Sequence, residues 1–316
     1  MGEPNFPFRK LLVGTDFSRG AAVALRRAIA LAKQVDAEVT LAHVLEHIGR
    51  AVEGTSFEAH WRIPPAALRR AEHKLRREAE ARLKQEIKPY LRHVNMLHTD
   101  TLVGVAFVEI IRLVQAENYD LVVAGTKGLS GLKRVLVGST AERLVRQCPC
   151  AVWVVKPDSQ DKPQSILAPI DFTEVSRKSL RIAASLSRLF ACPLDVLHAV
   201  NFHVDSVLEP PSEFGGTDER VRHREIIRAS AQRLHDIVQN HVPTGIAVRY
   251  RLALGAPWSR ITAAARRTQA SIVVMGSVGR IGIPGFFIGN TSEKVLRRCD
   301  CSILTVKPDG FKSPVS

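Results

Sequence analysis

Apolar and polar residues follow two rhythms along this chain, and the order of the rhythms returns. Short apolar runs of strand length, KLLVGT (10–15), EVTLAHV (38–44), YDLVVAG (119–125) and AVWVVKP (151–157), are separated by stretches with an apolar residue every three to four positions, such as AAVALRRAIALAKQ (21–34) and STAERLVRQ (139–147). The first spacing predicts strands, the second amphipathic helices. A further strand is expected near 96–103, with a short helix after it. The order then recurs in ILAPI (166–170), SLRIAASLSRLF (179–190), LDVLHAV (194–200), a strand near 246–253, ASIVVMG (270–276), TSEKVLRR (291–298) and SILTVKP (302–308). Continuously apolar strands alternating with helices predict βαβ units around a parallel sheet covered on both faces. Right-handed crossovers make that an open, doubly wound α/β sheet.

Residue by residue, the halves align. Asp16 matches Asp171 and His43 matches His198, an offset of 155; Gly104 to Gly255, Gly125 to Gly276, Gly138 to Gly289, Cys148 to Cys299 and Cys150 to Cys301 keep an offset of 151. The difference falls between about 45 and 100, which marks that segment as the variable one. Self-similarity at this period means two copies of one domain, expected at 1–157 and 164–316, joined by the polar PDSQDKPQ (157–164).

Charge changes this picture little. The formal net charge of +14 divides into +8 over 1–157 and +6 over 158–316, with no basic tail. The densest cluster, LRRAEHKLRREAEARLKQEIK (68–88), mixes signs at helical spacing and reads as a solvated helix face laced with ion pairs. Few aromatics flank these basic residues, so nucleic acid is not the expected partner. No apolar run reaches the roughly 18 residues of a membrane helix, and no signal peptide is evident, so a cytoplasmic protein is expected. Five cysteines without a secretion signal point to reduced thiols.

Candidate chemistry sits where strand four meets the next helix. GTKGLSGLKRVLVGST (125–140) and GSVGRIGIPGFFIGNT (276–291) share one skeleton. Glycines there let backbone N–H groups approach an anion, and the helix beginning near Ser139 and Thr140 offers its free N–H groups and positive end. Asp16, closing strand one on the same sheet edge, can accept from a ribose hydroxyl or an adenine amino group. The same residues also serve as an ordinary strand-to-helix turn with caps, and the residues alone leave both readings open. No GxxxxGK[ST] run is present, so this is not a P-loop. The two Cys-x-Cys pairs place their side chains on one strand face; buried structural cysteine is the leading reading, a local disulfide or metal contact the alternative. His43 and His198 lie inside apolar strands and read as core histidines. No nucleophile–base–acid order or H-E-x-x-H pattern supports hydrolysis.

Gly125-x2-Gly128-x9-Gly138-Ser139, the opening LLVGTDFS, the HV of strand two and CPCAVWVVKP in that order resemble the universal stress proteins over nearly the whole chain, in two tandem copies. The resemblance implies two Rossmann-like, adenine-nucleotide-binding domains forming a pseudo-dimer, with the last strands of the two copies antiparallel. The cysteine pairs would then lie about 20 Å apart, too far for a shared zinc site. By carry-over, Asp16 and Val44 meet the adenosine end, while Gly125, Gly128, Gly138, Ser139 and Thr140 hold ribose and phosphates and Lys127 reaches a phosphate. In the second copy Asp171, Gly276, Gly279, Gly289 and Thr291 keep their places, but Asn290 replaces the Ser/Thr, and Lys133 and Arg134 have no basic counterpart. The expectation is ATP, or ADP or AMP, with Mg2+ as candidate counter-ion, bound mainly in the first domain of a regulatory or interaction module in the stress response. The alternatives are a slow ATP hydrolase or transferase on the same scaffold and a nucleotide-free interaction protein. A protein partner and a homodimer are compatible with the sequence.

Overall fold

The structure, a computed structural model, describes residues 6–46, 65–92, 94, 96–126, 138–157, 162–202, 219–277 and 289–315. The chain forms two compact units, Met1–Pro157 with Lys312–Ser316, and Asp158–Phe311.

In the first unit β1 (Lys10–Thr15), α1 (Arg19–Val35), β2 (Glu38–Leu45), α2 (Pro65–Ile87), β3 (Leu97–Val103), α3 (Ala106–Glu117), β4 (Leu121–Gly125), α4 (Ser139–Gln147) and β5 (Ala151–Val155) follow one another. The strands lie in the order β3-β2-β1-β4-β5, and every pairing is parallel. The second unit repeats this with β6 (Ile166–Ile170), α5 (Glu174–Phe190), β7 (Leu194–Val200), α6 (Glu219–His241), β8 (Val248–Leu254), α7 (Pro257–Arg267), β9 (Ile272–Gly276), α8 (Asn290–Arg298) and β10 (Ser302–Val306), in the order β8-β7-β6-β9-β10, again parallel. Both are Rossmann-like α/β folds, as the sequence predicts.

The order reverses between β1 and β4, and between β6 and β9. A right-handed crossover then puts α1 and α2 on one face and α3 and α4 on the other. Strands covered on both sides are largely apolar, and β5, β6 and β10 are buried at every position. Leu11, Leu12, Val123, Leu167 and Val273 fill the cores. The reversal also opens a crevice outside the carboxyl ends of the strands, where ligands of such sheets sit. Among the described residues no helix is long and apolar enough to cross a membrane.

Candidate nucleotide site at the strand ends

The register brings the sequence-selected residues to one edge. Thr15 pairs with His43 and Gly14 with Ala124, so Asp16, Val44 and Gly125 follow side by side at the ends of β1, β2 and β4. Asp16 is exposed there. Its Oδ1 accepts the Ser18 N–H at 3.0 Å, while Ser18 Oγ caps α1 through the Ala21 N–H. Asp171 does the same in the second unit, accepting from Thr173 N and from Thr173 Oγ1 at 2.6 Å.

Between each aspartate and its cap lies a phenylalanine in the left-handed region, Phe17 at φ 60° and Phe172 at φ 68°. A bulky residue holds that conformation only when its surroundings demand it. Here the ring is clamped. Phe17 rests on the His43 ring at 4.4 Å with the Arg82 guanidinium 4.0 Å from its centroid; Phe172 rests on His198 at 4.1 Å with Arg233 at 4.5 Å. The histidines are fixed in turn, each donating Nδ1–H to the last carbonyl of the first strand, Thr15 O or Ile170 O. His198 is the core histidine the sequence suggests, whereas His43 is half-buried; both hold the strand-end turn.

Helices α1 and α5 are capped by hydroxyls, of Ser18 and Thr173. Helices α4 and α8 are not. Their N-caps are Gly138 (φ −66°, ψ 151°) and Gly289 (φ −71°, ψ 145°), with no side-chain hydrogen bond. Their first-turn N–H groups have no cap side chain to bond, which leaves them available to an anion. Ser139 is exposed at this end, with Thr140 half-buried behind it. In the second unit a cavity of about 400 Å3 opens at this end. It brings together Asp171, Gly276, Gly289, Asn290 and Thr291. Its volume falls in the range of small-molecule sites, and its apolar lining, with Ile170, Leu197 and Met275, suits a flat base. Lys127, Gly128 and Gly279 lie outside the described residues.

Three contributions escape sequence reading. Trp258 of α7 and Lys294 of α8 line the cavity, and the Trp258 ring carries the Arg298 guanidinium 4.4 Å from its centroid. The turn after Gly255, at the end of a third strand, was the available signal for Trp258. The third is Glu86. The stacked pairs Arg82–Phe17 and Arg233–Phe172 align α2 with α6, which sets Glu86 where the second unit has buried Ile237. Glu86 Oε2 is buried with no hydrogen-bond partner among the described residues. Burial pushes the carboxyl up from 4.5, against the pull of Arg82 and a hydrogen bond from Thr15. A raised carboxyl contributes stability that is present below its unfolded pKa and lost as pH rises through the folded one. Glu86→Gln is therefore expected to stabilise the protein at pH 7 and to be neutral near pH 4. Water screens a half-exposed group, so the gain is under about 1 kcal/mol. Urea melts at the two pH values measure it; an equal gain at both would show that ionisation is not the cause.

Two parallel α/β domains, each with a glycine at the N-cap of the helix before its last strand, define a tandem Rossmann-like class. The sequence model of the Universal stress protein family matches residues 7–156 and 163–307, and the chain belongs to that family. It is 33% identical over 152 residues to universal stress protein MJ0531 of Methanocaldococcus jannaschii, covering 47% of this chain and 82% of that one. Against universal stress protein E of Escherichia coli it is 27% identical over 223 residues, 66% of this chain and 67% of the relative. A universal stress protein structure from Archaeoglobus fulgidus superposes with a TM-score of 0.64 over 94% of this chain and 98% of its own, at 20% identity, which supports the fold. Membership places the protein in the stress response.

Proposed function

We propose that this stress protein binds an adenine nucleotide at the strand ends of each unit, more tightly in the first, and acts in the cytoplasm as a regulatory or interaction module. The carrying observation is the cavity of about 400 Å3 whose rim joins Asp171, the uncapped Gly289 N-cap and Asn290. The base would lie against its apolar wall, the ribose near the aspartate, and the phosphates against the first turn of α8, or of α4 in the first unit. A bound Mg2+ would serve as counter-ion to the phosphates. Because the second unit has room, weaker binding there traces to chemistry. Asn290 stands in place of Ser139, and the 276–291 stretch lacks the Lys133 and Arg134 of its counterpart.

The test begins with denaturing purified protein and counting the adenine nucleotide released, followed by calorimetric titration of ATP into stripped protein. About one nucleotide per chain is expected, with a second, weaker site on titration. Gly138→Asp should abolish the tighter site. The Gly138 backbone is extended, a conformation open to aspartate, the preferred helix N-cap; its carboxylate would occupy the N–H groups and repel phosphate. At least a tenfold loss is expected, about 1.4 kcal/mol, without loss of fold. Gly289→Asp should remove only the weaker site. No released nucleotide and no rebinding would overturn the proposal, and two equal sites would overturn its asymmetry.

A further inference from the structure

The two Cys-x-Cys pairs lie at the amino ends of β5 and β10, opposite the strand ends that carry the candidate site. In the first unit Cys148 is the C-cap of α4 (φ −65°, ψ 135°), its N–H bonded to Leu144 O at 2.9 Å. In the second, Cys299 is the C-cap of α8 (φ −79°, ψ 136°), bonded to Val295 O at 2.8 Å. One intervening residue turns the chain, and the second cysteine sits in a bend just before the strand, so the pair does not share a strand face as the sequence suggests. The arrangement brings Cys148 Sγ to 3.5 Å from Cys150 Sγ, and Cys299 Sγ to 3.3 Å from Cys301 Sγ. In both pairs the capping cysteine is buried and its neighbour half-buried. A merely space-filling role asks for one small apolar side chain at each place. It does not ask for two sulfurs in contact, with one at the surface, twice over.

We infer that each pair is a thiol–disulfide exchange site, which a small-molecule disulfide of the glutathione type converts to an intrachain disulfide. The chemistry balances in two displacements. The half-buried Cys150 loses its proton and attacks the small disulfide, releasing one small thiol and leaving a mixed disulfide on Cys150. Cys148 then loses its proton and attacks the Cys150 sulfur, forming Cys148–Cys150 and releasing the second small thiol. The protein dithiol is oxidised by two electrons and the small disulfide is reduced by two. Cys301 and Cys299 take the same parts in the second unit. Closing either pair requires the sulfurs to approach by roughly 1.3–1.5 Å, to the 2.05 Å of a disulfide. The resolving thiol attacks intramolecularly from contact distance, so the mixed disulfide should not accumulate. The hydrogen bond with Cys148 and burial push the Cys150 thiol up, which slows the first displacement.

The experiment incubates the whole reduced protein with excess oxidised glutathione, quenches with acid and maps the peptides by mass spectrometry. The expected result is loss of two hydrogens in each of the peptides carrying 148–150 and 299–301, with no glutathione retained. Cys148→Ser should trap glutathione on Cys150. Cys150→Ser changes only a half-buried position, and so keeps the assay readable if the buried variant fails to fold; it should leave Cys148 unmodified. Glutathione retained on Cys150 and Cys301 of the unsubstituted protein, or thiols unreacted when the urea-unfolded chain reacts fully, would overturn the inference.

Discussion

Gly20→Ala is expected to destabilise the first unit by about 1–3 kcal/mol, the usual cost of forcing extra atoms into a packed region. The sign is the informative part. At an unobstructed helical position alanine is favoured over glycine by up to about 1 kcal/mol. Gly20 lies in the first turn of α1, and a Cβ there would meet the Thr126 carbonyl oxygen at 2.4 Å. The contact is reciprocal: a Cβ on Gly125 would meet the Gly20 carbonyl carbon and oxygen at 2.5 Å and Ala21 N at 2.8 Å. All these partners are backbone, so no side chain can swing aside. Gly125→Ala should fail similarly, and the double variant should cost less than the sum because one approach is relieved once. In the second unit Val175 stands at the matching position, so this close approach is not general to the repeat. Urea denaturation, with amide exchange over α1 and β4 to localise the loss, measures the effect. A neutral or stabilising Gly20→Ala would show that α1 can withdraw from β4. It would also remove the packing reason for a glycine at 125 and leave only the ligand to require one.

Asp195→Ala is expected to cost about 2–3 kcal/mol, the scale of charge-assisted hydrogen bonds lost together. The Asp195 side chain is 3% exposed. Arg249, its direct partner across β7 and β8, grips it with Nε at 3.1 Å and Nη2 at 2.8 Å, and Arg251, two residues on, adds Nη2 at 3.1 Å. Removing the carboxylate leaves two guanidinium groups side by side on an edge strand. Their exposure to water, 59% and 36%, limits the penalty below that of a stranded buried charge. Asp195→Asn should fall between, since an amide keeps one acceptor. The first unit solves the same place differently: Thr40 accepts a 2.8 Å hydrogen bond from the Tyr119 hydroxyl. A shift in the denaturation midpoint, with amide exchange rising in β8, checks the prediction. An unchanged midpoint would mean that the three bonds barely exceed what water supplies.

The fold was legible because its signals are local. The helix predicted over 139–147 is α4 residue for residue, KLLVGT is β1, and all but the last residue of the mixed-charge stretch at 68–88 lies on α2, Pro65–Ile87. Apolar strands buried on both faces and helices with one apolar stripe write their period into the chain. The candidate site was legible in outline for the same reason. Asp16 follows β1, Gly125 ends β4, and Gly138 caps α4 ahead of Ser139 and Thr140; element ends carry recognisable residue types. What could not be read depends on contacts between distant segments. No spacing shows that Gly20 touches Thr126, that Glu86 is half-buried where its counterpart is isoleucine, or that Trp258 lines the cavity holding Asn290. The cysteines divide along the same line: their repetition is in the sequence, but the 3.3–3.5 Å between sulfurs is not.

By itself, then, the sequence determined two copies of a parallel α/β domain, their family, and the sheet edge at which Asp16, Gly125 and Gly138 gather. The strands, helices and turns follow from residue type and period within about a dozen neighbours, and the duplication from the same pattern returning 151 to 155 positions later. The tertiary structure decided which glycine is required by packing, which buried charge has a partner, and which thiols can react with each other. Those outcomes turn on differences of a few tenths of an ångström in contacts that the fold brings together, which close packing sets and local pattern does not encode.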